Sequence, residues 1–227
     1  MLLFSSLALA AGGQAHGGAW VGKRGDGAVI INAVSLNKDQ TPRGYSLELY
    51  GEVGLGHELA LVGAPSISQG VQAVSSQWSV DEVLVGLRRN FYRGHSFALS
   101  YQISTFTIPT SVGSKTSEIG IETRFALGKN LGHWGWLNGE VAGRTCGISR
   151  GIRYDATGGV KLPKGDMLIV KIFGDGNGCA LPLTRSQMSY VSPLFGATRL
   201  EIGWRTSLGE EKINTDQGLI LGLWRVF

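Results

Sequence analysis

Four histidines, His16, His57, His95 and His133, are the side chains best suited by their ordinary pKa to act as a base near neutral pH. A membrane-barrel hydrolase or acyltransferase needs such a base beside a nucleophile or a carboxylate, near the outer rim or the lipid face. His16 lies near the chain start, and the other three fall in or beside short turns at one end of the predicted fold. None reaches the outer rim, so the sequence predicts no enzyme. The turn histidines are single and far apart without ligand spacing, so no metal and no cofactor are expected. Glu48 and Glu52, and likewise Glu118 and Glu122, are spaced i, i+4 on a strand face, roughly 13 Å apart. That is too far for a shared proton. With Arg88, Arg124 and Arg144 close in strand order, ion pairing is the role they are expected to play. The glycines show no phosphate-loop order. Asp175-Gly-Asn-Gly178 offers oxygen ligands to a cation in an external loop, but its turn residues read first as a loop.

The elements that carry these residues are strands. Helical periodicity is almost absent and period-2 alternation recurs along the chain. In the stretch 45–55, Tyr45, Leu47, Leu49, Val53 and Leu55 alternate with Ser46, Glu48, Tyr50 and Glu52. Phe97, Leu99, Tyr101 and Ile103 alternate with serines and Gln102, and Ile119, Ile121, Phe125 and Leu127 with Glu118, Glu122 and Arg124. Twelve strands are predicted: 27–36, 44–55, 58–67, 80–91, 95–106, 116–127, 135–146, 151–162, 166–174, 185–194, 197–207 and 216–227. Each has about the 9–11 residues that a tilted strand needs to cross a membrane. The predicted fold is all-β, a transmembrane antiparallel up-and-down barrel of about twelve strands, with ten as the lower alternative.

The connections alternate in length. Gly56-His57, Tyr92–Gly94, Gly128–Trp134, Pro163–Gly165 and Phe195-Gly196 are short; Asn37–Arg43, Ser68–Ser79, Thr107–Lys115, Gly147–Arg150, Asp175–Thr184 and Leu208–Thr215 form the longer set. Outer-membrane barrels have short periplasmic turns and longer external loops. The expected topology places the N-terminus and Phe227 in the periplasm.

The face opposite the apolar one is charged and balanced. Glu48, Glu52, Glu82, Glu118, Glu122, Glu140, Asp155 and Glu201 stand against Arg88, Arg124, Arg144, Arg153, Lys161, Lys171, Arg199 and Arg205, eight of each sign. A soluble sandwich needs no such balance, whereas charges in a narrow lumen must be paired. These residues, Lys161 and Lys171 apart, are the expected lumen lining. Tyr45, Phe91, Tyr92, Trp134, Trp136, Tyr190, Phe195 and Trp204 are expected in aromatic girdles at the membrane interfaces. Arg225 shares a face with Leu219, Leu221 and Leu223 and can snorkel at the chain end.

Residues 1–15 form an apolar run ending in small residues and read as a secretory signal, leaving 16–227 as the barrel. The run lacks a preceding Lys or Arg and is too short to span a bilayer as a helix. Only 17% of the residues are charged and the net charge is +4, with no Lys/Arg run, so no nucleic-acid partner is expected. In an exported protein the two cysteines, Cys146 and Cys179, are disulfide candidates that would tie two outer loops together.

Several motifs carry a resemblance. Gly18-Ala-Trp20-Val-Gly-Lys23-Arg-Gly25-Asp-Gly27-Ala-Val-Ile30, Tyr50-Gly51-Glu52-Val53-Gly54-Leu55, Asp155-Ala-Thr-Gly-Gly159 and Gly218-Leu-Ile-Leu-Gly222-Leu-Trp224-Arg-Val-Phe227 resemble segments of an uncharacterised, transporter-like group of proteobacterial outer-membrane barrels. The resemblance implies the outer membrane of a Gram-negative cell as the location, and says little of activity. The terminal Phe227 is similar to the assembly signal of such proteins, which makes the barrel assembly machinery an expected partner beside outer-membrane lipid. Arg225 stands where that signal usually has an aromatic or apolar residue. The expected function is a small-solute channel or uptake protein with a charged lumen. The rivals are a non-conducting structural or partner-docking barrel, an outer-membrane enzyme and a soluble secreted β-sandwich.

Overall fold

A computed structural model describes residues 19–38, 41–70, 78–109, 117–176, 178–179, 183–208 and 217–227. The apolar leader 1–15, His16 and parts of the longer loops lie outside them. Twelve strands form one closed antiparallel barrel in which each strand pairs with its sequence neighbours and the first pairs with the last. They are β1 (Gly27–Lys38), β2 (Thr41–Gly56), β3 (Leu59–Gly70), β4 (Trp78–Arg93), β5 (Phe97–Pro109), β6 (Ser117–Asn130), β7 (Gly135–Cys146), β8 (Ser149–Lys161), β9 (Met167–Asp175), β10 (Leu183–Phe195), β11 (Thr198–Leu208) and β12 (Gln217–Val226). Closure leaves no unpaired edge, as a strand structure in hydrocarbon requires.

Alternation sets the two faces. Leu47, Val85, Leu87, Ile103, Ile121, Phe125, Val141, Val170 and Leu221 are exposed on the outside, where a bilayer would cover them. Their chain neighbours point inward. At the turn end, Phe91, Tyr92, Trp134, Tyr190 and Phe195 lie exposed near the strand termini, and Tyr45 and Trp204 are exposed nearer the loop end. Trp136 departs from the expected girdle. It points into the barrel and is 6% exposed, because it shares the inward face of β7 with Asn138 and Glu140. Trp224 is inward as well and its indole N–H donates to Glu201 at 2.6 Å.

The connections also differ in detail from the alternation pattern. β6 continues to Asn130, so the turn before β7 has only residues 131–134. The link between β7 and β8, expected among the longer external connections as 147–150, is a two-residue turn, Gly147-Ile148, with Gly147 at φ 54°. The β2–β3 turn places both His57 and Glu58 at positive φ, 54° and 57°, the geometry of a type I′ hairpin built without glycine or asparagine at either centre. The β2–β3 ladder skips Leu49 and Tyr50 opposite Ala64 and Pro65, where Pro65 has no N–H to donate. At the seam, Gly27 and Phe227 exchange backbone hydrogen bonds of 2.8 and 3.0 Å, and the Phe227 ring lies where a Cβ on Gly27 would stand.

Candidate functional site: the barrel lumen

The turn end of the lumen is packed. Residues 19–26 precede β1 and fold into the barrel mouth. Ala19 and Val21 are fully buried and Trp20 packs with Ala98 and Ala126. The Trp20 ring lies over Gly128, where an added Cβ would sit 2.1 Å from it. The Ala19 amide donates to Asn138 Oδ1 at 3.0 Å, and Arg93 donates to the Val21 carbonyl at 3.0 Å. Gly54 admits the segment, since a Cβ there would lie 2.0 Å from the Lys23 carbonyl oxygen. The adjoining sector holds a second apolar cluster of Trp136, Met167, Ile169 and Val191, with Trp224 against it. Large aromatics lie flat over small positions here: a Cβ on Gly159 would lie 2.6 Å from the Trp136 ring.

Above this neck the inward face becomes ionic: some pairs join adjacent strands, and others run as chords across one or more strands. Arg88 on β4 reaches Glu52 on β2 at 3.0 Å, while its Nε donates to Gln102 Oε1 at 3.0 Å; the Tyr50 hydroxyl also donates to Glu52. Glu122 is completely buried and holds Arg124 at 2.7 Å, and Arg124 also pairs with Glu140. Arg144 Nε lies 3.2 Å from Glu122, a charge contact without hydrogen-bond alignment, and its Nη2 bonds Glu82 at 2.6 Å. The same guanidinium stacks 3.8 Å above the Phe106 ring. Arg153 on β8 crosses to Glu82 on β4 at 2.9 Å and pairs with Asp175 at 2.8 Å. Lys171 pairs with Asp155 at 2.7 Å. On the opposite wall Arg205 binds Glu48 with both terminal nitrogens, one at 2.8 Å, and is steadied by Gln187, which in turn donates to Glu201 at 3.0 Å.

These chords exist because the strands between their ends carry small inward residues. Arg205 and Glu48 reach one another over β12 and β1, where Gly218 and Gly222 face inward; a Cβ on Gly222 would lie 2.2 Å from Asn32 Oδ1. Each charge has a partner in a low-dielectric setting where an unpaired one would cost several kcal/mol.

Two residues expected in the lining stand at the barrel ends instead. Glu118 is exposed at the loop end, beside the Gly147 turn. Arg199 lies at the turn-end rim and donates to the Gly165 carbonyl at 2.7 Å. The network also uses Tyr50 and Gln102, which alternation places on the polar face without a role, and Asp175 and Gln187, which it does not single out. Cys146, at the loop end of β7, is joined to Cys179 in the β9–β10 connection by a disulfide. His57 sits in the β2–β3 turn, His95 in the turn before β5 and His133 in the turn before β7; among the described residues no group of three or more metal-ligating side chains converges. Between neck and ion pairs lies a cavity of about 520 Å³ that extends toward Asp81, Ile108 and Arg185 near the loop end.

No family profile matches the chain. No curated protein matches its sequence. Its fold is similar to solved outer-membrane barrels. The KdgM porin superposes with a TM-score of 0.60 at 5% identity over 88% of this chain and 99% of that one. That porin has also been solved in complex with disordered oligogalacturonate (TM-score 0.61, 6% identity, 88% and 99% covered). The NanC porin gives 0.63 at 7% identity over 87% and 98%. An outer-membrane channel from Pseudomonas putida F1 gives 0.63 at 13% identity over 93% and 98%. The chain therefore has the closed twelve-stranded fold of an outer-membrane β-barrel.

Proposed function

We propose that this protein is a small-solute channel or uptake barrel of the outer membrane, with its turn end in the periplasm. The observation that carries the reading is the 520 Å³ charged cavity enclosed by the barrel wall, in a fold shared with porins and a channel. Outer-membrane lipid would cover the apolar exterior, and the assembly machinery would read Phe227 at the end of β12. Of the expected lining, Glu48, Glu82, Arg124, Glu140, Arg144, Arg153, Asp155, Glu201 and Arg205 face the cavity and would hydrate the path, and the disulfide would stiffen its outer mouth. KdgM is described with oligogalacturonate; every Lys and Arg lining the cavity of this chain is already engaged, which favours a different solute.

The packed Trp20 neck favours the second reading, a closed barrel serving as a structural or docking element. Planar-bilayer recording of the refolded protein separates the two. Steady conductance supports the channel. Silence, together with no solute flux into proteoliposomes, leaves the docking barrel.

A further inference from the structure

Seven carboxylates and six Lys or Arg side chains line the central cavity. None of the six cations is left over. Arg124, Arg144, Arg153, Lys171 and Arg205 are in ion pairs, and Arg185 has an interaction of its own. An anionic solute therefore meets no waiting cation, whereas two of the carboxylates, Asp81 and Glu201, are held by the neutral donors Ser68, Gln187 and Trp224. To bind, the anion must break an existing pair and leave a buried charge uncompensated, or give up its own hydration for nothing.

The same walls suit a neutral solute rich in hydroxyl groups. A guanidinium has five N–H donors and a carboxylate about four acceptor positions, and one ion pair uses only one or two of each. The remaining donors and acceptors are held in fixed directions by the chords. A hydroxyl group both donates and accepts, so it can bridge the two partners of a pair without separating them. The floor supplies the complementary surface. Trp136, Ile169 and Trp224 all line the cavity, and an indole suits the C–H face of a sugar ring. Trp224 is fixed by its bond to Glu201. A cavity of about 520 Å³ is in the range of small-molecule sites.

We infer that the lumen is a binding and selectivity site for neutral polyhydroxylated solutes of about monosaccharide to disaccharide size, and that it discriminates against their acids. This rests on the channel reading above, which fails separately from it in the following test. Proteoliposomes carrying the full chain are placed in iso-osmotic galactose or sodium galacturonate, sugars of similar size that differ in charge. Galactose is expected to enter about tenfold faster than galacturonate. Galacturonate entering as fast as galactose overturns the inference and leaves the channel standing.

If nothing enters, the channel reading fails, and equilibrium binding of labelled galactose and galacturonate to the detergent-solubilised barrel decides the site. Retention of galactose alone supports it, and retention of neither overturns it. The double variant Glu48→Gln/Asp155→Asn releases Arg205 and Lys171 from their partners. With folding checked by heat-modifiable gel migration, it is expected to raise galacturonate uptake or binding about tenfold relative to galactose. A folded variant with unaltered galacturonate handling overturns the inference.

Discussion

The two halves of the lumen are filled by different physics. At the turn end, Trp20, Ala98, Ala126 and Gly128 meet as in the core of a soluble protein, with the ring occupying the space that the glycine leaves. In the middle, side chains of similar length meet only at their tips, as Arg153 does with Glu82 and Arg205 with Glu48. Apolar contact is gained by filling volume, so it closes the neck. An ion pair needs only a few oriented atoms, so it braces the wall and leaves the cavity open. Aromatic residues over glycines close a barrel, whereas chords of opposite charge hold one open.

The largest effect should come from breaking the ionic half. Glu122→Gln leaves Arg124 and Arg144 facing a neutral group inside the wall, and about 3–5 kcal/mol of stability should be lost in urea unfolding followed by tryptophan fluorescence. A loss under about 1 kcal/mol would mean that the buried belt behaves like surface ion pairs. Next is Trp20→Ala. Removing a buried Trp costs about 3–5 kcal/mol, but here the cost falls on docking of the segment 19–26. Single-channel conductance should rise severalfold, and that segment should become susceptible to protease while the barrel keeps its gel mobility. Unchanged conductance would show that the neck lies off the solute path. Gly128→Ala should act in the same direction with less force, about 1–3 kcal/mol of overpacking against the Trp20 ring.

The smallest effect concerns a site outside both halves. Asp166, in the turn before β9, accepts a hydrogen bond from Ser192 at 2.8 Å. Hydrogen bonds from Tyr190 and Ser192 hold its carboxyl below the usual carboxylate range. The folded state therefore favours the carboxylate. The contribution is complete above an unfolded pKa of about 3.9 and is lost as pH falls through the lower folded value. Asp166→Asn should remove that slight acid sensitivity of the turn, read as amide exchange at Met167, and leave conductance unchanged.

Much of this was legible in the residues. Alternation located all twelve strands within a few residues, because a wall with lipid outside and charge inside leaves a period-2 trace. It also marked Glu82, Arg144 and Arg153 as inward. It could not tell which acid meets which base, because the chords depend on barrel stagger and on small residues in strands between them. Trp20 was visible only as part of the opening motif. Its segment precedes the first strand, so no alternation assigns it a face. Trp136 misled because an aromatic near a strand end suits an interface or a lumen equally, and the glycine that seats it, Gly159, lies on the next strand. Glu118 and Arg199 follow the inward parity yet stand at the ends, since parity fixes a face and not a depth.

The chord between Arg205 and Glu48 has a consequence for how fast the barrel comes apart. Its partners are 157 residues apart in sequence, while each hairpin needs only neighbouring strands. The pair can form only once β12 has met β1, so it contributes little to the rate at which hairpins assemble. It must, however, be broken before the seam can part. Interactions absent from the folding transition state act mainly by slowing unfolding. This ion pair therefore acts as a latch whose measure is the lifetime of the closed barrel in the membrane rather than the speed of its formation.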